Sequence, residues 1–114
     1  MTSSNQTLHA EISIIPVGTG STGISKEVAV AFDAIRKTKG IKTTTLTAMG
    51  TQIEADNIKA ILSAIEAAHQ AVKSTGAKRM VSTIRIAERL DVSRTLEDDI
   101  ESVNDSSPIL KGEF

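Results

Sequence analysis

From Leu8 to Val17, apolar and polar residues nearly alternate. Leu8, Ala10, Ile12 and Ile14 fall on one face, and His9, Glu11, Ser13, Ile15 and Val17 on the other. Period-two spacing with β-branched residues predicts a strand. Its second face is mixed rather than polar, which implies a cover. Pro16 cannot donate to a ladder, so the strand ends near it. The period then changes. Ile24, Val28, Ala31, Phe32 and Ile35 recur at helical spacing and predict a helix over Ser25 to Thr38, with Ser25 or Ser21 as N-cap. Lys37, Lys39 and Gly40 suit its C-terminal end.

The threonine-rich run Ile41 to Ala48 reads as a strand, Met49-Gly50 as a tight connection, and Thr51 to Ala55 as the return strand of a hairpin. Asp56 is the expected cap of a second helix over Asn57 to Ser74. Its stripe is Ile58, Ile61, Leu62, Ile65, Ala68 and Val72, with His69 beside it, and Gly76 closes it. Lys78 to Ala87 predicts a fourth strand, with Met80, Ile84 and Ile86 alternating against Arg79, Val81, Thr83 and Arg85. An irregular link through Arg89, Asp91 and Ser93 leads to a short third helix, Thr95 to Val103. Residues 1–7 and 104–114 read as flexible tails around one domain at 8–103.

The order β-α-β-β-α-β is the split βαβ unit, an α+β ferredoxin-like sandwich: a four-stranded antiparallel sheet with helices on one face. Right-handed crossovers place the first and third strands in the middle. The face opposite the helices then carries Ile15, Val17, Val81 and Thr83, and a second copy of the chain is expected to cover it.

Composition narrows the function. With 114 residues, 24% charged and a net charge of -1, the chain has neither the length for several domains nor the basic surface for nucleic acid. Its only aromatics are Phe32 and Phe114, too few for base stacking. Zero cysteines exclude disulfides and thiolate chemistry. No apolar run is long enough to cross a bilayer, and Met1 to Thr7 lacks a signal peptide's apolar core, so a cytoplasmic location without membrane contact is expected.

Gly18-Thr19-Gly20-Ser21-Thr22-Gly23 matches the dinucleotide fingerprint in form. That reading also requires an acid about 20 positions on, at a second strand's end, and the Ile41 to Thr47 stretch has none. No lysine follows the loop in P-loop spacing. Neither histidine belongs to a Ser-His-Asp order or a metal-ligand spacing, and no carboxylates declare themselves as an acid–base pair. His69 fits packing better than chemistry. Catalytic machinery is therefore not visible, and neither a metal nor a cofactor is expected. Glu54 stands out instead. Flanked by Ile53 and Ala55 on a short strand, its carboxylate either points to water at a strand edge or, if the strand is central, needs a partner, a ligand or an internal pair with Arg85. Glu11 poses the same question more weakly.

Several strings together resemble the thiamine-binding family of small ferredoxin-like proteins, the YkoF-like group. They are Glu11-Ile12-Ser13-Ile14-Ile15-Pro16-Val17-Gly18-Thr19-Gly20-Ser21-Thr22, Met49-Gly50-Thr51, Ile53-Glu54, Ala68-His69, Gly76-Ala77-Lys78-Arg79, and Thr83-Ile84-Arg85-Ile86 with Arg89 and Asp91. The resemblance covers about residues 8–103. It implies a non-enzymatic protein that binds thiamine or its hydroxymethylpyrimidine moiety, and self-assembly into a homodimer or a dimer-of-dimers tetramer. It further implies a pocket at Gly18, Thr19, Gly20, Ser21, Thr22, Met49, Gly50, Thr51 and Glu54. The other reading is a regulatory or structural oligomer without a physiological small ligand. Asp99 stands where the family often has lysine, and the chain past Val103 departs from the family pattern.

Overall fold

The computed structural model describes residues 7–91 and 95–107. Within them the order is β1 (Leu8–Pro16), α1 (Ser25–Arg36), β2 (Ile41–Leu46), β3 (Thr51–Ala55), α2 (Ile58–Lys73), β4 (Met80–Glu88) and α3 (Leu96–Ser106). The strands form one antiparallel sheet in the order β2-β3-β1-β4. This is the ferredoxin-like α+β sandwich, with β1 and β3 inside. Pairing between β1 and β4 runs the full length of β1, from Leu8–Glu88 to Pro16–Met80. Its pairing with β3 stops at Ile12–Thr51. Beyond Ile12, β1 therefore has no strand partner on its β3 side.

Alternation sorts the two faces. Leu8, Ala10, Ile12 and Ile14 of β1 are buried with Ile53 and Ala55 of β3 against α1 and α2. α1 contributes Ala31 and Ile35, as its period predicts. α2 is rotated from the expected stripe. Its buried residues are Ala60, Ile61, Ala64, Ala68 and Val72, while Ile58 and Leu62 are exposed at 49% and 56%. Small residues explain the rotation. A Cβ on Gly40, whose φ is +92°, would stand 2.7 Å from the Ala60 Cβ, so the chain leaving α1 lies directly on the alanine ridge of α2. An isoleucine or leucine there would not fit.

The helix ends differ in detail from expectation. Asn57, not Asp56, caps α2, its Oδ1 accepting from Ala60 N at 2.8 Å. Asp56 instead faces Lys42 at 3.4 Å. Neither Ser25 nor Ser21 caps α1: the N-cap is Ile24, with no side-chain bond, and Ser21 bonds Gly23 within the preceding loop. α3 continues to Ser106, past the expected end at Val103, after a capping box between Thr95 and Asp98. Of the expected irregular link, Arg89 holds Asp91 in a two-pronged pair at 2.7 and 3.1 Å, and Ser93 lies outside the described residues. Residues 1–6 and 108–114 of the expected tails also lie outside them.

Candidate functional site

The chemistry-bearing residues separate into three places. The first is the end of the β2–β3 hairpin. Thr47 Oγ1 donates to Gly50 O at 2.8 Å and accepts from the amides of Met49 and Gly50 at 3.3 and 3.2 Å. One hydroxyl thus satisfies the tight turn. A Cβ on Gly50 would stand 3.0 Å from Ile12 O, a tight contact, so the turn lies close against β1. Between this turn, α1 and the unpaired end of β1 lies a cavity of about 170 Å³. Ile12, Ser13, Ile14 and Ile15 form one wall, Ile24, Val28, Ala31 and Ile35 another, and Thr47 to Thr51 the third.

That cavity is chiefly apolar, yet it borders a backbone edge. In the stretch beyond Ile12, Ile14 turns its N–H and C=O, and Pro16 its C=O alone, away from β4, toward the side where β3 has ended. One donor and two acceptors are presented there. Met49, 79% exposed, stands at the mouth.

The second place is the glycine loop. Its hydroxyls turn inward: Thr19 Oγ1 donates to Ser21 O at 3.1 Å, and Ser21 Oγ accepts from Gly23 N at 3.1 Å. Gly18 and Thr19 border a hollow of about 350 Å³ with Glu27, Gly76 and Lys78. Gly20, Ser21 and Thr22 are exposed. The loop connects Ile15 to Ile24, two residues that both line the hairpin cavity, but none of Gly18 to Thr22 lines it.

The third place is the sheet's other face. Glu54 is buried, 7% exposed, and both its oxygens are engaged. Thr43 Oγ1 donates to Oε1 at 2.7 Å, and the Leu96 amide donates to Oε2 at 2.8 Å. His9 Nε2 stands 3.8 Å from the same Oε2, and its Nδ1 lies 3.2 Å from Asp99. Glu54 therefore sits opposite the hairpin cavity, under the start of α3. The expected alternative, an internal Glu54–Arg85 pair, does not form. Register places Arg85 across from Glu11, two strands from Glu54. Glu11 accepts from Gln52 Nε2 at 3.3 Å. Arg85, Glu11, Gln52 and His9 border a hollow of about 310 Å³ edged by Leu96.

Of the sequence-predicted residues, Met49, Gly50 and Thr51 come together at the hairpin cavity, Gly18 to Thr22 lie outside its lining, and Glu54 lies on the other face. Sequence reasoning missed the α1 wall and the free edge of β1. The early end of β3 at Thr51 was the available signal, since a strand of nine residues cannot be matched by one of five. His69 Nε2 lies 3.0 Å from Ser82 Oγ, joining α2 to β4 away from these places. Among the described residues no group of three or more His, Asp or Glu side chains is arranged to hold a metal. No described helix is long and apolar enough to cross a membrane.

Known proteins resemble this chain. A UPF0045 protein of Methanothermobacter thermautotrophicus is 38% identical over 96 residues, covering 84% of this chain and 95% of its own. UPF0045 protein YqgV of Bacillus subtilis is 36% identical over 97 residues, covering 83% and 92%. The crystal structure of hypothetical protein MJ1052 from Methanocaldococcus jannaschii superposes with a TM-score of 0.76 at 34% identity, covering 87% of this chain and 97% of that one. The profile described as "Thiamine-binding protein" matches residues 10–104, from the middle of β1 into α3. That span includes the hairpin cavity, the glycine loop and Glu54, and the chain belongs to the thiamine-binding protein family.

Proposed function

We propose that this protein binds thiamine or its hydroxymethylpyrimidine moiety without catalysing a reaction, and does so as a homo-oligomer. The observation that carries the reading is the hairpin cavity. At about 170 Å³ it is close to the engineered apolar cavity of about 150 Å³ that accommodates benzene. One six-membered ring fits, and a second ring does not. An aminopyrimidine is flat, with an amine donor and ring-nitrogen acceptors along its edge. The free backbone edge of β1 offers the Ile14 N–H and the carbonyls of Ile14 and Pro16 as donor and acceptors, and Ile14, Val28 and Met49 supply apolar surface for the faces. The thiazolium, or a phosphate on it, then lies outside, toward the loop Gly18 to Thr22. Family membership supports the ligand class.

The sheet supports the proposed assembly. Ile15, Val17 and Val81 are 47%, 41% and 50% exposed on the face opposite α1 and α2, an apolar surface that a second copy would remove from water. A regulatory or structural oligomer without a small ligand is the competing reading. What favours it is the absence of a charged side chain from the cavity walls among the described residues.

Calorimetric titration with thiamine, thiamine phosphate and hydroxymethylpyrimidine tests the proposal. Binding of all three within about tenfold is expected, since each carries the ring that the cavity would hold. A ligand that binds only the folded state must also raise the melting temperature. No heat and no melting shift with any of them at millimolar concentration would leave the structural oligomer standing. Val28→Phe fills the cavity from α1 without touching a polar group. It should lower affinity roughly tenfold or more with little loss of stability, because a half-buried valine at the cavity wall has room to grow.

A further inference from the structure

The two edges of the sheet are built differently. β2, on one edge, has six residues, carries Lys42 and shifts register between Ile41 and Thr43 against β3. A short strand, a lysine and an irregularity are means of keeping a second strand off an open edge. β4, on the other edge, has none of them. Its nine residues contain no proline, glycine or lysine, and they pair with β1 without a register shift. Val17 N donates to Arg79 O at 2.8 Å, which fixes the alternation: odd-numbered residues from Arg79 onward bond to β1. Met80, Ser82, Ile84, Ile86 and Glu88 therefore turn their N–H and C=O groups outward. Among the described residues no backbone group bonds to this row.

The helix layer leaves the same edge bare. Ile58, Leu62, Ile65 and His69 recur at helical spacing along one side of α2. His69 of this stripe reaches Ser82 of β4 at 3.0 Å, so the stripe faces the edge. Ile58 and Leu62 are 49% and 56% exposed, and Ile86, on the helix face of β4, is 39% exposed. Unpaired backbone and aliphatic surface thus run side by side.

We propose that β4 pairs antiparallel with β4 of a second copy, about a two-fold axis at Thr83, joining two sheets into one of eight strands. The register follows from charge. Because even-numbered residues bond outward, even must meet even, and the axis passes through a residue position. An axis at Ser82 sets Arg79 against the partner's Arg85, and one at Ile84 sets it against the partner's Arg89. An axis at Arg85 sets that side chain against itself. Like charges directly opposite each other oppose pairing. The axis at Thr83 avoids all three, uses the whole strand, and places Met80 opposite the partner's Ile86. It also brings Lys78 opposite the partner's Glu88 at both ends of the joint. Neither Lys78 nor Glu88 is in an ion pair among the described residues. The joint uses the edge and not the face that carries Ile15, Val17 and Val81, so both contacts fit one assembly. It does not depend on the ligand.

The chain has no cysteine, so one introduced thiol reports the axis. Thr83 is exposed, and at the axis it meets its own counterpart in a non-hydrogen-bonded pair, where side chains approach most closely. Thr83→Cys should oxidise to a covalent dimer at micromolar concentration. Adding Glu88→Lys sets two lysines together at each end. The rate of cross-linking should then fall roughly tenfold, the size expected when two exposed pairs change from attraction to repulsion. Adding Lys78→Glu as well restores opposite charges in reversed order, and the rate should return to within about twofold. Glu88 alternates onto the helix face of β4, so a contact through the opposite sheet face is indifferent to both changes. A covalent dimer whose rate ignores Glu88→Lys would overturn the edge joint and leave the face contact standing. Failure of the double exchange to restore the rate would also overturn it, as would the absence of a covalent dimer from Thr83→Cys.

Discussion

Ile53 and Glu54 are neighbours in sequence and live in different physical settings. Ile53 is 0% exposed, packed among aliphatic side chains from both long helices. Glu54, almost as deeply buried, is enclosed by hydrogen bonds from a threonine and a backbone amide. One face of the sheet is held by area removed from water, the other by a few directional contacts beneath a half-docked helix. Burial alone does not distinguish them. On the first face, stability is shared among many contacts and fails cooperatively. On the second it is carried by individual polar contacts, among them the Leu96 amide on Glu54 and Asp99 beside His9.

This contrast orders the expected effects of mutation. Ile53→Ala should be the most damaging, at about 2–5 kcal/mol, because transfer and cavity terms add in a core that cannot collapse around it. Chemical denaturation measures this, and a loss below about 1 kcal/mol would mean the covered face is less tightly packed than its burial implies. Gly40→Ala strikes the same face through the backbone. With φ at +92° and a Cβ 2.7 Å from that of Ala60, it should cost about 1–3 kcal/mol by the same measurement.

Glu54→Ala should come next, at about 1–3 kcal/mol, the penalty for stranding the Thr43 hydroxyl and the Leu96 amide. Amide exchange should then quicken in α3 while β1 and β3 keep their protection, which separates the two faces directly. His69→Ala removes one link between α2 and Ser82 and should cost about 0.5–1.5 kcal/mol, with thiamine affinity changed by less than roughly threefold. The smallest effect belongs to Asp33. Lys37, bonded at 2.8 Å, and then Arg36 at 2.7 Å hold its carboxyl below the usual 3.8. A depressed carboxylate contributes above its unfolded value, and that contribution is lost as pH falls through the lowered one. The side chain is 42% exposed and screened by water, so Asp33→Asn should leave the denaturation midpoint at neutral pH unchanged within error.

Order and kind of elements were legible in the chain. Alternation in Leu8 to Val17 and helical spacing from Ile24 to Ile35 are local signals, set by where successive Cβ atoms point, and they need no partner to be read. The sheet order followed from them through the handedness of crossovers. The strings that resemble the family, Glu11 to Thr22 and Met49 to Thr51, include Ile12 to Ile15 and Met49 to Thr51, which line the hairpin cavity, and Gly18 to Thr22, which do not.

What only the tertiary structure decided depends on distance between elements. The rotation of α2 that buries Ala60 and Ala64 and exposes Ile58 and Leu62 was settled by how closely the chain at Gly40 approaches it. Hydrophobic periodicity alone prefers the larger residues. The hairpin cavity exists because β3 stops at Thr51 while β1 runs on to Pro16, a mismatch between two strands rather than a property of either. Glu54 announced from sequence that it needs a partner, but its partners lie 11 and 42 residues away. Which of the chain's donors reaches a buried carboxylate is a matter of closure in three dimensions, and no local pattern of residues encodes it.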